Sequence, residues 1–445
     1  MLLHPIPVKL QQTMAEFGHA FRKKYFTLLE KDVIPVNNGS YGTTPTMVMD
    51  RLRKVCEEEE HYPDRFYNYE VKDIYVSQVK SLAEYIGVDY KNLAIVPNAT
   101  VGINTVLRSI PWDFEKDSVL VHTTSYGACS NTVKFLHDTF GLKYDVADVV
   151  YPMEDSELLA NFEEKLATGK HRLCMFDMIS SMPGVALPYK ELIKLCKKYN
   201  VLSLIDGAHA IGMVDMDFID ELEPDFLTTN MHKWLSAPKS AAMLYVNPKH
   251  HKIIQTNPIS WSYVPTATCK SADDIMIEKF WYLGTVSYGP MLCIEEALKF
   301  RKDVCGGEDR IRAYQNELRP AAIEAVQKAF GPGSELLENT AGTLAVPGMF
   351  NVSLPVKKEY EVMIKKFCDE PMDFRRTVKG PCEATMIRED KAFAPFLVHD
   401  NKLWVRFSVY IYNELSDYVK SAPLIRKRLE EALDQKALEL GIASL

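Results

Sequence analysis

From residue 93 onward the chain alternates between two rhythms. Short apolar runs fall at 93–96, 118–122, 144–149, 172–179, 201–205, 225–229 and 241–246. Between most of them the apolar residues recur at helical spacing, as in 189–199. Near-continuous apolar runs mark strands buried on both faces. Strands alternating with helices predict a mostly parallel, seven-stranded sheet covered on both sides. Upstream, 14–32 and two further patterns between residues 46 and 85 read as amphipathic helices, with the polar turn VNNGSYGTTP between them. The acidic run Glu57 to Glu60 reads as a solvated helix face. After Phe280-Trp281-Tyr282-Leu283 the rhythm changes. A long helix is expected from near Pro290 and more helix to about Phe330. Turns follow at Gly331-Pro332-Gly333 and Pro347-Gly348, with strands at 350–354 and 403–408. The expected class is α/β: a large domain over 36–290, and a smaller α/β domain over 291–445 completed by the segment 1–35.

Composition narrows the partners. The chain has 445 residues, 47% of them hydrophobic, which is ample for a large core. Its net charge is −8, and no basic run is interleaved with aromatics, so nucleic-acid binding is disfavoured. Nine cysteines are scattered without a CxxC pair, the pattern of reduced thiols in a cytoplasmic protein. His250 and His251 lack partners at zinc-type spacing, so no metal site is expected. No apolar run approaches a membrane span, and the opening residues lack the apolar core of a signal peptide. The final Ala-Ser-Leu lacks the middle lysine of a peroxisomal signal.

The chemistry concentrates between Ser203 and Lys239. One apolar run ends in Asp206-Gly207-Ala208-His209, the next in His232-Lys233-Trp234. Ligands of open α/β sheets bind outside the carboxyl ends of the strands. An acid and a lysine placed there suit pyridoxal phosphate, whose carbonyl forms an imine with lysine and whose pyridine nitrogen pairs with a carboxylate. Four further segments bear on the same crevice. Asn98-Ala99-Thr100 follows a strand and opens a helix, where backbone amides favour a phosphate; read alone, the threonine is an ordinary N-cap. Tyr126 follows the second run and is placed to stack on a planar ring. Ser180 and Ser181 follow the fourth run. Arg406 lies inside the apolar stretch LWVRFSVYIYN, where a guanidinium needs a partner: a structural carboxylate or the carboxylate of an amino-acid substrate.

Taken together, NNGSYGTTP, VPNATVGINTVLR, TTSYGACSNT, MFDMISSMPGVALPYKEL, LIDGAHAIGMVDMD, TTNMHKWL and VRFSVYIYN resemble the class V members of the fold-type I pyridoxal-phosphate enzymes. These include cysteine desulfurases, isopenicillin N epimerase-like proteins and the C–S lyases of ergothioneine synthesis. The resemblance runs from about Phe17 to Tyr418. It implies that Lys233 bonds the cofactor and shuttles protons, and that Asp206 pairs with the pyridine nitrogen. It implies that His209 approaches the phenolic oxygen, that Tyr126 stacks on the ring, and that Ala99, Thr100, Asn230 and His232 line the phosphate end. Ser181 would stand in the same crevice. Thr285 would reach a phosphate across the interface of a homodimer with shared active sites. Arg406 would hold the substrate carboxylate, with Asn37 at the substrate mouth.

Loss of the Cα proton leads to several outcomes. A leaving group on Cβ gives elimination, ending in pyruvate and ammonia. Without one, racemisation, epimerisation or transamination follows. Desulfurases use a mobile cysteine shortly before the arginine strand; here Cys382 stands 24 residues before Arg406 in VKGPCEATMIRED, which does not match that loop. The segments VPNATVGINTVLR, SYGAC, SSMPG and IGMVDMD are most similar to fungal-type lyases of a cysteine-conjugate sulfoxide. Relatives often carry Ser-His-Gly where this chain has Ser260-Trp261-Ser262, and epimerase-like members Thr-Arg-Asp where it has Thr285-Val286-Ser287. Both segments, Trp261 included, are expected near the substrate entrance. The expected activity is a C–S β-lyase. The alternatives are a cysteine desulfhydrase, an epimerase or an aminotransferase of the same class, and, from a different class, a cofactor-binding protein without catalysis.

Overall fold

The computed structural model describes residues 16–266 and 274–442. Seven strands form the main sheet: β1 (Leu93–Val96), β2 (Ser118–His122), β3 (Lys143–Ala147), β4 (His171–Asp177), β5 (Leu202–Asp206), β6 (Phe226–Asn230) and β7 (Ala242–Val246). Their order across the sheet is β1-β7-β6-β5-β4-β2-β3. β7 pairs antiparallel with both β6 and β1, and the remaining pairs are parallel. The reversal follows from chain length. Residues 231–241 are too few for the helical crossover that a parallel neighbour requires. They instead fold back on themselves, the Met231 amide donating to the Ala241 carbonyl (3.1 Å) and the Ala237 amide to the Met231 carbonyl (3.2 Å).

Strands β1, β2, β6 and β7 are buried along their whole length; β1, β2 and β7 are mostly apolar, whereas β6 buries the polar Thr228, Thr229 and Asn230. Two expected strands, 144–149 and 172–179, end two residues early, at Ala147 and Asp177. That shift matters. It makes Asp177 the last residue of β4, on the same rim as His122, Asp206 and Asn230, the last residues of β2, β5 and β6.

The second sheet is antiparallel, in the order β8 (Met349–Leu354), β10 (Lys402–Ser408), β9 (Phe396–His399). β9 was not expected. Asp400 and Asn401 both take left-handed φ (46° and 55°), the turn that closes a two-residue hairpin between β9 and β10. Phe350, Val352 and Phe407 anchor a second apolar core, packed against the helices Glu308–Phe330 and Leu415–Glu439.

Three helical expectations are revised. Within 14–32 the helix covers only His19–Tyr25, because Gly18 at φ +103° breaks the pattern before it, while residues 14 and 15 lie outside the described residues. The helix expected from Pro290 is a succession of a 3₁₀ turn (Met291–Cys293), an α-helix (Ile294–Lys299) and a π turn (Phe300–Val304). The helices expected up to Phe330 are one, Glu308–Phe330, continuous through Pro320.

Candidate active site

A cavity of about 360 Å³ opens at the rim where β4, β5 and β6 end. Among its lining residues are Ala99, Thr100, Tyr126, Ser181, Asp206, His209, Asn230, His232 and Lys233. The sequence had singled out all nine. The strand ends explain the convergence: successive parallel strands deliver their terminal side chains to one crevice.

Lys233 stands at the centre. Its Nζ lies 3.2 Å from His209 Nε2. Burial, together with the nearby charge of Arg406, brings its ammonium down to about 8, so a neutral amine is accessible near neutrality. Its carbonyl accepts from Asn38 Nδ2 at 3.1 Å. Gly42 packs against the same backbone with φ +67°, and a Cβ there would stand 1.8 Å from the His232 carbonyl oxygen. Only glycine fits that approach.

At one end Asp206 is 3% exposed. It accepts from the Ala208 amide (2.9 Å) and from Cys129 Sγ (3.1 Å). Burial and the neighbouring Asp177 raise it to about 6. A buried carboxylate whose charge is costly is one that a pyridinium partner would stabilise. At the other end is the N-terminus of the helix Ala99–Ser109. Asn230 Oδ1 takes the Ala99 amide (2.9 Å) and Asn98 Oδ1 the Val101 amide (2.9 Å). The amide and hydroxyl of Thr100 are left to meet an anion. Burial holds His232 down at about 4, so it contributes a neutral ring. The donors and acceptors present therefore fit pyridoxal phosphate at both ends.

Arg406 lies behind the cavity wall, 2% exposed. Its Nη1 donates to the Ser181 carbonyl (2.6 Å); its Nη2 donates to Asn37 Oδ1 (3.1 Å) and Ser40 Oγ (3.0 Å). Its Nε has no acceptor, and no carboxylate among the described residues pairs with it. Burial lowers it to about 10. A buried cation held only by neutral oxygens is missing its natural anionic partner. Asn37 thus meets Arg406 rather than the cavity itself.

Thr285 and Trp261 are not among the residues lining the cavity of a single chain. Both are exposed, Trp261 at 93%. Cys382 is buried in the helix Gly380–Thr385, where burial pushes its thiol up to about 12, and it does not line the cavity.

Asp177 and Trp234 escaped the sequence reading, as did Ser40, whose Oγ meets Arg406. Asp177 lines the cavity beside Asp206 and has His122 Nε2 at 3.6 Å. Its signal was an acid at a strand's carboxyl end, hidden because the apolar run was read through to residue 179. Trp234, fully buried, donates its indole N–H to His209 Nδ1 at 3.2 Å. Nothing in the sequence foretells that contact, which depends on how two loops meet.

Residues 36–418 match the aminotransferase class-V family. The chain belongs to that family. Pyridoxal phosphate, the cofactor of these enzymes, is the group its cavity is built to hold. The class-V chain is 30% identical over 413 residues to the hercynylcysteine sulfoxide lyase of Schizosaccharomyces pombe, covering 92% of this chain and 97% of that one. It is 26% identical to a probable chloroplastic L-cysteine desulfhydrase of Arabidopsis thaliana, covering 93% and 85%. A solved cystine C–S lyase in complex with its reaction product cysteine persulfide has the same fold. The TM-score is 0.72 at 17% identity, covering 90% of this class-V chain and 99% of that one. The α/β fold with its mostly parallel seven-stranded sheet is therefore the one expected of the family. Among the described residues no helix is long and apolar enough to cross a membrane, and no group of metal-ligating side chains is assembled.

Proposed function

We propose that this protein is a pyridoxal-phosphate-dependent C–S β-lyase acting on a cysteine conjugate or its sulfoxide, of the hercynylcysteine sulfoxide type. The observation that carries the reading is Arg406. It is a buried guanidinium without an anionic partner, joined through Ser181 and Ser40 to the wall of the Lys233 cavity. A free α-amino acid supplies the missing carboxylate. Bidentate pairing would fix the substrate's Cα in the crevice. When bound, the cofactor supplies the electron sink for the charge left at Cα.

The chain's own residues do the rest. Arg406, with Asn37 and Ser40 orienting it, holds the substrate carboxylate. Lys233 would hold the cofactor at rest and, freed when the substrate amine takes its place, would be the base for the Cα proton, its pKa lowered to about 8 by burial. Asp206 holds the pyridine nitrogen, Tyr126 covers the ring, and Thr100 meets the phosphate with Ala99, Asn230 and His232 around it. The sulfur group then leaves from Cβ with the bonding electron pair, and the three-carbon remainder hydrolyses to pyruvate and ammonia. Among the described residues no cysteine stands ready to take the sulfur. Cys382 is buried away from the cavity, and Cys129 donates to Asp206, with burial raising its thiol well above the ordinary range. This favours elimination over transfer to a protein thiol.

The similarity to lyases that act on carbon–sulfur bonds supports the reaction class, and the identity to the yeast lyase supports the sulfoxide substrate. A second reading, cleavage of cysteine itself, is favoured by the similarity to the plant desulfhydrase. We further propose a homodimer, in which the exposed Thr285 and Trp261 of one chain face the cavity of the other. The test is a panel of cysteine, cysteine sulfoxides and hercynylcysteine sulfoxide, scored for pyruvate. Turnover of hercynylcysteine sulfoxide in clear preference to cysteine is expected. Preference for cysteine would favour the second reading. Turnover confined to sulfur-free amino acids would overturn both.

A further inference from the structure

The contact between Trp234 and His209 fixes more than a ring orientation. An indole N–H is a donor only, so His209 Nδ1, 3.2 Å away, must accept. A neutral imidazole with an accepting Nδ1 carries its proton on Nε2. That N–H then faces Lys233 Nζ at 3.2 Å, and an ammonium has no lone pair with which to accept it. The three residues form a directed donor chain, indole to imidazole to amine, that closes only when Lys233 is neutral.

The surroundings hold this chain in place. Trp234 is fully buried, and a Cβ at Gly348 would stand 2.7 Å from its ring. Its carbonyl accepts from Arg301 Nη1 (2.5 Å) and Tyr410 Oη (3.3 Å), which pin the backbone of the lysine loop. The charged and titratable groups facing His209 are Lys233 and His232 from the β6–β7 link, Arg406 from β10, and Asp206 three residues upstream on its own loop. Burial first, and after it the positive charge of Lys233 when protonated and of Arg406, keeps the ring neutral.

We propose that Trp234 is a positioning residue which locks His209 as the neutral Nε2–H tautomer. His209 is thereby a donor towards the phenolic oxygen of the cofactor and, whenever Lys233 is neutral, towards that amine. In consequence His209 takes no proton during turnover, and Lys233 alone moves the proton at Cα. The inference rests on the cofactor site proposed above, and is independent of which substrate is cleaved.

The test is nitrogen-15 NMR of the full chain labelled at histidine, loaded with cofactor, with His209→Gln identifying the signal. The expected result is one ring pattern, Nε2-protonated and uncharged, between about pH 6 and 9. An Nδ1-protonated, averaged or charged ring would overturn the lock. In Trp234→Phe, the tautomers should mix, and the pH midpoint of the bound cofactor's visible spectrum should rise by about half a unit or more, because the phenolic oxygen loses a fixed donor. A folded W234F protein with an unchanged tautomer and midpoint would also overturn it. Should that variant not fold, the ring pattern of the unsubstituted protein decides alone. A protein that shows the lock but cleaves no carbon–sulfur bond retains this inference and loses the proposed activity; the converse separates them equally.

Discussion

Asp177 and Asp206 stand opposite each other on the neighbouring parallel strands β4 and β5, each 3% exposed and both lining the same cavity. The charge of Asp177 opposes the ionisation of Asp206. After burial, Asp177 is the largest influence raising Asp206 to about 6.

Replacing Asp177 with asparagine removes that repulsion and lowers the pKa of Asp206. In the unsubstituted protein, cofactor affinity should fall as pH drops through about 6, where Asp206 gains its proton and can no longer pair as an anion. In Asp177→Asn the fall should come at lower pH, by up to about one unit. Cofactor dissociation constants measured across acid pH decide it. An unmoved midpoint would remove Asp177 from the site.

Arg406→Lys replaces a planar fork with a point charge that cannot span both oxygens of a carboxylate. We expect kcat/KM for an amino-acid substrate to drop about a hundredfold, the scale of about 3 kcal/mol for a compromised buried ion pair. The visible spectrum of the bound cofactor should change little. An analogue lacking the carboxylate should be turned over equally by both proteins. Equal losses on both substrates would show that Arg406 is structural.

Lys233 is brought from an ordinary 10.5 down to about 8 by burial and Arg406. The neutral form therefore dominates above about pH 8. The rate of cofactor attachment to the unloaded chain should climb about tenfold per unit as pH rises towards 8, then level. Borohydride trapping of the cofactor at timed intervals measures it. A midpoint near 10.5 would mean that the burial seen around Lys233 does not govern it.

Gly42→Ala places a methyl group where the His232 carbonyl stands, at a left-handed φ. The cost combines overpacking, about 1–3 kcal/mol, with the strain of a left-handed alanine, about 1–2 kcal/mol. The variant should load less cofactor and melt at lower temperature. Full loading with an unchanged melting temperature would show that the lysine loop yields without loss.

The parts of this molecule that the sequence disclosed are those set by short-range rules. Asp206, Asn230 and the Lys233 loop follow strands whose apolar runs end sharply. Ala99 and Thr100 open a helix with its own cap. Asp177 was hidden because Met178 and Ile179 prolong the apolar run of β4 beyond the strand itself. β9 was missed because only 403–408 was read as a strand, and the left-handed Asp400-Asn401 pair that turns 396–399 back onto it was not recognised as a tight turn. The neutral-oxygen cradle of Arg406 and the indole contact of Trp234 join residues 225 and 25 positions apart, and no local pattern encodes them.

The placement of β7 bears on how the site comes into being. β7 is the last strand of its sheet in sequence, yet it sits inside the sheet, between β1 and β6. Among the described residues it is also the only sheet partner of β1, which leads into the helix that begins at Ala99. Until residue 246 has been synthesised, β1 has no neighbour to join. The short fold-back that presents Lys233 is also what delivers β7. One local event therefore docks the phosphate-facing helix and positions the amine together, while the carboxylate clamp waits for Arg406 much later in the chain.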